Sequence, residues 1–234
     1  MSLKLSAICT PELLERVSQL LRWQHRHPDF NLTWKEEVLP LLTPSSPYHY
    51  TTFAPEPLSP RDENDLNLAE QRLFQLCRAC QAASLPLLVD AEYTVVQPAI
   101  DYLVYRAFSK FNQLPGKPGV YGTVQAYLKE SFPRLIAATE EAKKRGITMG
   151  VKLVSGAYIK VENRVAKSLS VPSPIHSSRM ETRSCYDDCA SFLLQKVATG
   201  EAALLLATHN LESGKLTLSP SFLSFITINS ALID

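Results

Sequence analysis

The feature that most constrains this chain is an alternation of short apolar runs and longer amphipathic stretches. LPLLVD at 85–90, GVYGTVQ at 119–125, ITMGVKLVS at 147–155 and AALLLAT at 202–208 are short, dense in aliphatic residues and bounded by turn formers. Such runs read as buried strands. Between them lie stretches of helical period. Residues 97–111 carry Ile100, Leu103, Val104, Ala107 and Phe108 on one face. Residues 131–145 stop at Gly146 and residues 181–199 at Gly200, the residue type that ends a helix in the left-handed conformation. Strands joined by helices return to the sheet in the same direction, so the strands are parallel and the helices cover them.

The first third fits the same scheme less regularly. Residues 2–8 alternate as S-L-K-L-S-A-I, which predicts a strand with Leu3 and Leu5 on one face. Thr10-Pro11-Glu12 reads as a helix start, with Thr as cap, Pro at the first helical position and an acid in the first turn. Leu13, Leu14, Val17, Leu20 and Leu21 form its apolar stripe, and the helix should stop near His27-Pro28. Residues 28–60 are proline-rich and aperiodic, an irregular excursion with one short helix expected at 34–42. Ser59-Pro60 opens the next helix, which runs to about Ala83.

No G-x-G-x-x-G follows the first strand, and there is no P-loop lysine motif. A nucleotide-binding doubly wound sheet therefore gives way to a barrel. The expected fold class is α/β, an incomplete (βα)8 TIM-type barrel of about five parallel strands with their helices.

Charge and cysteines exclude several classes. A formal net charge of +1 makes no electrostatic case for nucleic acid. No apolar run is long enough for a transmembrane segment. The opening MSLKLSAI has neither a secretory apolar core nor an Arg-rich amphipathic leader, so no targeting peptide is expected in it. Five cysteines are an odd number for a disulfide framework. Cys77 and Cys80 form a C-x-x-C, but they sit within the helical pattern QRLFQLCRACQAA and read as small core residues rather than a redox or metal pair. Cys185 and Cys189 read the same way, and no metal site is expected.

Polar residues fall where the strands end. Asp90-Ala91-Glu92 closes the second strand, Gln125 the third, Ser155-Gly156-Ala157-Tyr158 the fourth and Thr208-His209-Asn210 the fifth, while Lys4 and Lys152 lie inside strands. A strand-end Asp or Asn can merely cap the next helix. A lysine facing the interior is different, because it requires an anionic or acceptor partner. In a barrel these ends open on one face, where binding groups converge.

KLSAI (4–8), LLVDAE (87–92), VQPAIDYL (96–103), QAYLK (125–129), KLVSGAY (152–158) and ATHNLESGK (207–215) resemble, in order and spacing, the mitochondrial proline dehydrogenases of eukaryotes, the plant-type enzymes above all. The resemblance covers roughly residues 1–215. It implies a distorted (βα)8 barrel that holds FAD over the strand ends, oxidises L-proline to Δ1-pyrroline-5-carboxylate in proline catabolism and passes electrons to a quinone or another respiratory-chain acceptor. It leaves hydroxyproline open as the substrate, and implies location in the mitochondrion on the matrix side of the inner membrane.

By the same resemblance Asp90 and Lys152 are the catalytic candidates. Lys4 matches a lysine beside the substrate carboxylate, and Tyr158 walls the substrate site. Ala91, Gln125, Ser155, Gly156 and Ala157 match residues around the flavin ring, and Thr208, His209 and Asn210 match the turn that holds the far part of FAD.

The chain also departs from the family pattern. Ser155 stands where the K-L-V-R-G-A-Y type of motif carries a second basic residue. The first strand matches the second strand of the family barrel, and the likeness fades near Lys215. The expected division is therefore a partial FAD-binding barrel at 1–215 and a non-family tail at 216–234. The family's final helix, with its tyrosine and arginine pair for the substrate carboxylate, has no counterpart in LTLSPSFLSFITINSALID. On that ground the alternative expectation is a catalytically inactive truncated or splice-variant form.

Overall fold

The computed structural model describes residues 1–44, 46, 51, 53–113 and 117–207. Its elements run β1 (Ser2–Leu3), a 3-10 turn (Leu5–Ala7), α1 (Pro11–Arg26), α2 (Pro60–Ala82), β2 (Leu87–Val89), α3 (Gln97–Phe111), β3 (Val120–Gln125), α4 (Ser131–Lys144), β4 (Met149–Val154), α5 (Ile159–Ser168), α6 (Arg179–Ala198) and β5 (Ala202–Ala207). The strands form one sheet in the order β1-β2-β3-β4-β5, and every neighbouring pair is parallel.

Register separates the two faces of this sheet. Leu3, Val89, Gly122, Val151 and Leu204 lie side by side across the five strands. That row belongs to the face packed on helices: Leu3, Val89 and Val151 are buried and Leu204 packs against the same core. On the other face Thr123, Lys152 and Leu205 are neighbours, and all three are half-buried. Side chains alternate across a strand, so polar residues at every second position share this face and form its floor.

Local chemistry explains the helix ends. Thr10 Oγ1 accepts from Leu13 N–H at 3.3 Å, and Pro11 follows at the first helical position. Ser59 and Asp62 form a reciprocal capping box at the start of α2. Gly146, at φ 65, turns the chain after α4. α1 packs on α3, and α6 packs on β4 and β5.

Two expectations, at 2–8 and 34–42, meet a different structure, and one helix was not expected at all. The strand at 2–8 is only Ser2–Leu3. Its partner β2 is three residues long, and once Asp90 N–H has bonded Leu3 O at 2.8 Å no ladder remains to extend it. The chain turns there instead, with Ala7 N–H donating to Lys4 O at 3.0 Å, and Leu5 is fully buried by that turn. Lys4 therefore follows the strand rather than lying within it. The short helix expected at 34–42 does not form. Pro40 disfavours helix for its neighbour and removes a donor, and Leu39, Leu41 and Leu42 reach the core from irregular backbone. Conversely, α5 interposes a helix between β4 and α6 that the sequence reading passed over. The cysteines at 9, 77, 80, 185 and 189 are free and buried, in keeping with core packing.

Candidate functional site

The site is built on the C-terminal ends of β2, β3 and β4. Every candidate residue among the described ones lines a single open cleft of about 360 Å³, floored by the half-buried face of the sheet. Asp90, Gln125 and Lys152 thus converge as the strand ends suggested. Thr208, His209 and Asn210 lie outside the described residues.

Lys152 and Asp90 form the charged centre. Lys152 Nζ donates to Asp90 Oδ1 at 2.8 Å, and the two side chains are 20% and 27% exposed. Ser2 Oγ donates to the other carboxylate oxygen at 2.9 Å. Asp90 is therefore held from β1 and β4 at once, and the ammonium of Lys152 is fixed over the sheet. Lys4 behaves differently from the expectation of an interior lysine. It is exposed at the cleft wall and has no ion pair among the described residues, so it needs no buried partner. With two ammonium groups and one carboxylate, these three residues leave the cleft one positive charge in excess.

Gln125 is only 2% exposed, and its amide binds the protein itself. Nε2 donates to Glu92 O at 2.8 Å, and Oε1 accepts from Ala157 N–H at 3.2 Å. One side chain thereby links the loops after β2 and β4, and leaves one amide N–H without a partner among these bonds. Ser131 Oγ donates to the carbonyl of Gln125, which anchors the same position to α4.

The loop after β4 supplies small groups. Ser155 and Ala157 are exposed, Ala91 is buried opposite, and Gly156 has φ 137. A Cβ on Gly156 would lie 2.3 Å from the ring of Tyr127, so only glycine lets that ring pack beneath the loop. Tyr127 N–H bonds Ser155 O at 2.7 Å and continues the join between the two loops. Tyr158 closes the side, with its ring centroid 6.2 Å from that of Tyr93.

Thr123, Val154 and Ala207 also line the cleft and were not anticipated. Strand alternation could have found Thr123, which lies two residues before Gln125 and faces the same side. Its hydroxyl donates to Val89 O at 2.8 Å. The small residues of the loop after β4 and one fixed cation suit a flat, electron-rich ring. The free ammonium of Lys4 suits a carboxylate.

A family model described as proline dehydrogenase matches residues 2–220. Proline dehydrogenase 1, mitochondrial, of Arabidopsis thaliana is 45% identical over 214 residues, covering 91% of this chain and 43% of the relative. Hydroxyproline dehydrogenase of Bos taurus is 30% identical over 216 residues, covering 91% of this chain and 45% of the relative. The chain thus spans less than half the length of these relatives. Among solved structures, proline utilization A from Bdellovibrio bacteriovorus, inactivated by N-propargylglycine, superposes with a TM-score of 0.60. It shares 24% identity, and the match covers 67% of this chain and 16% of that one, so it bears on the fold alone, a TIM-barrel-like one. An ordered set of strand-end motifs, a five-stranded parallel βα sheet and a family match over nearly the whole chain agree: this chain belongs to the proline dehydrogenase family of oxidoreductases.

Proposed function

We propose that the cleft binds FAD and L-proline and carries out the oxidation of proline to Δ1-pyrroline-5-carboxylate. The observation that carries this reading is the meeting of Asp90, Gln125 and Lys152 with the small Ser155-Gly156-Ala157 loop in one cleft, in a chain of this family. When bound, the flavin would supply the redox chemistry, accepting a hydride from the ring carbon next to the proline nitrogen.

The residues fit such a group. Ala91, Gly156 and Ala157 permit close approach of a flat ring. Lys152, braced by Asp90, places positive charge beside it and favours its electron-rich reduced form. Gln125 has an amide N–H left to donate. Lys4 receives the substrate carboxylate, and Tyr158 limits the space on that side. Thr208, His209 and Asn210 would hold the nucleotide portion. Ser155 contributes a hydroxyl where the family motif has a cation, which weakens its hold on a negatively charged cofactor.

The identity of 45% with a plant proline dehydrogenase, against 30% with a hydroxyproline dehydrogenase, favours proline as substrate. We read residues 1–215 as the barrel-forming part, a quinone or other respiratory-chain carrier as the acceptor, and the matrix side of the inner mitochondrial membrane as the location.

The test is FAD titration of the purified chain, followed by proline-dependent reduction of a dye. The expected result is saturable flavin binding that weakens roughly 10- to 100-fold in Lys152→Met, the loss of one charge-assisted interaction. Equal affinity in the two proteins would remove Lys152 from the assignment. Absence of both binding and reduction would reject the reading.

A further inference from the structure

Behind the cleft lies a buried polar cluster that none of the assigned roles uses. Glu162 is on the first turns of α5, four residues after Tyr158, and is 1% exposed. Its Oε1 accepts from Thr94 N–H at 2.7 Å, and its Oε2 accepts from Thr94 Oγ1 at 2.5 Å. Tyr127 OH donates to Oε1 at 3.4 Å. From the far side Arg22 of α1, also 1% exposed, donates to the carbonyls of Thr94 and Val95, the latter at 2.9 Å. The Thr94 residue is thus gripped by a buried anion at its N–H and a buried cation at its C=O.

Such an arrangement is expensive to bury, and apolar residues of similar size often serve stability as well or better. Its value lies in direction, since each bond fixes one loop relative to another. Thr94 belongs to the loop that carries Asp90, Ala91 and Glu92. Tyr127 belongs to the loop that follows Gln125, and its ring lies under Gly156. Glu162 itself belongs to the helix whose start follows Ser155-Gly156-Ala157-Tyr158. The three segments that wall the cleft therefore meet on one carboxylate.

We propose that Glu162 is a positioning residue for the cleft, clasping the β2–α3 and β3–α4 loops to the start of α5 so that Asp90, Gln125 and the Gly156-Ala157 backbone keep their mutual geometry. As a statement about flavin binding this rests on the reading under Proposed function. As a statement about the loops it stands on the hydrogen bonds alone.

The experiment measures amide hydrogen exchange of the full chain without added cofactor, in wild type, Glu162→Gln, Thr94→Val and Thr94→Ser, with FAD titration alongside. Glutamine keeps the size of Glu162 but replaces one of the two acceptor oxygens used by Thr94 with an NH2 donor and removes the charge. Peptides over residues 90–97 and 125–130 should exchange about tenfold faster in Glu162→Gln, the loss of roughly one net hydrogen bond, while α2 stays as protected as before. Thr94→Val should reproduce the effect at 90–97, and Thr94→Ser, which keeps the hydroxyl, should behave as wild type. FAD affinity should follow the same order.

Unchanged exchange in both Glu162→Gln and Thr94→Val would overturn the clasp. So would uniform acceleration that includes α2, since that marks general destabilisation. If Glu162→Gln does not fold, Thr94→Val against Thr94→Ser decides alone, because the carboxylate and its other bonds remain. If wild type takes up no FAD, the functional reading fails while the exchange data still decide the clasp. Loosened loops with unchanged FAD affinity would overturn the link between the clasp and the cleft.

Discussion

At the scale of single residues, the cleft depends on positions where little side chain is tolerated. Gly156 combines a φ of 137 with a ring beneath it, so two penalties act on any substitution. Backbone strain of this kind costs about 1–3 kcal/mol. A methyl group 2.3 Å from the Tyr127 ring must also displace the ring or the loop. Gly156→Ala should therefore lower the unfolding free energy by at least about 1–3 kcal/mol, read from urea denaturation. In a Tyr127→Leu background the clash is relieved, so the cost of adding Gly156→Ala should shrink toward backbone strain alone. An equal cost in both backgrounds would show that the ring is not the obstacle. Asp90 and Lys152 illustrate the complementary case. Their partnership spans 62 positions in sequence and needs the parallel register of β2, β3 and β4 before either side chain can find the other.

At the scale of elements, α3 and α4 are held together by a buried ion pair. Arg134 Nη1 lies 2.6 Å from Asp101 Oδ2, with side chains 7% and 11% exposed. Gln97 Nε2 donates to the other oxygen of Asp101 at 2.8 Å, and Glu130 stands 3.9 Å from Arg134. Burial pushes the Asp101 carboxyl upward, and the guanidinium of Arg134 opposes that shift. Gln97 Oε1 also accepts from Glu92 N–H, so the pair communicates with the loop that carries Asp90. Arg134→Met alone should destabilise by about 3–5 kcal/mol, because it strands a buried charge. The double change Asp101→Leu with Arg134→Met should recover part of that loss, because the buried Glu130 still lacks its cation. A double-mutant cycle in urea measures both, and an additive result would mean that the two side chains do not depend on each other.

At the scale of the whole molecule, pH acts through the charges that join helices to the sheet. Glu201, just before β5, meets Lys143 of α4 at 2.8 Å and Lys196 of α6 at 3.0 Å. Hydrogen bonds from Lys143 and then Lys196 hold its carboxyl down at about 2, against an ordinary value of 4.5. A depressed carboxyl contributes stability that is complete above the ordinary value and disappears as pH falls through the folded one. The window is therefore about pH 4.5 down to 2. Lys143 is largely exposed, so solvent screening keeps the contribution near about 1 kcal/mol. Glu201→Gln should be less stable than wild type by about that amount at pH 7 and indistinguishable from it near the bottom of the window. Thermal or urea unfolding across that range checks the sign, and a difference that persists undiminished at pH 2 would contradict it.

Local chemistry written in the sequence determined the order of the strands and of every helix but α5. The Thr10-Pro11 and Ser59-Pro60 starts, the Gly146 stop and the apolar runs at 85–90, 119–125, 147–155 and 202–208 each act over a few residues, so they are legible without a fold. The same holds for the convergence of Asp90, Gln125, Lys152 and the Ser155–Tyr158 loop, because parallel strands present their C-terminal ends on one side. Tertiary structure decided the rest. Whether residues 2–8 continue as a strand depended on the length of β2, and whether 34–42 coils depended on a core that its leucines reach from irregular backbone. Glu162 gives no sign of its role in the sequence, where even its helix was not expected. It becomes the anchor of three loops only when register and helix packing bring Thr94 and Tyr127 within hydrogen-bonding distance, and no pattern of period two or 3.6 encodes a contact between segments 35 and 68 residues apart.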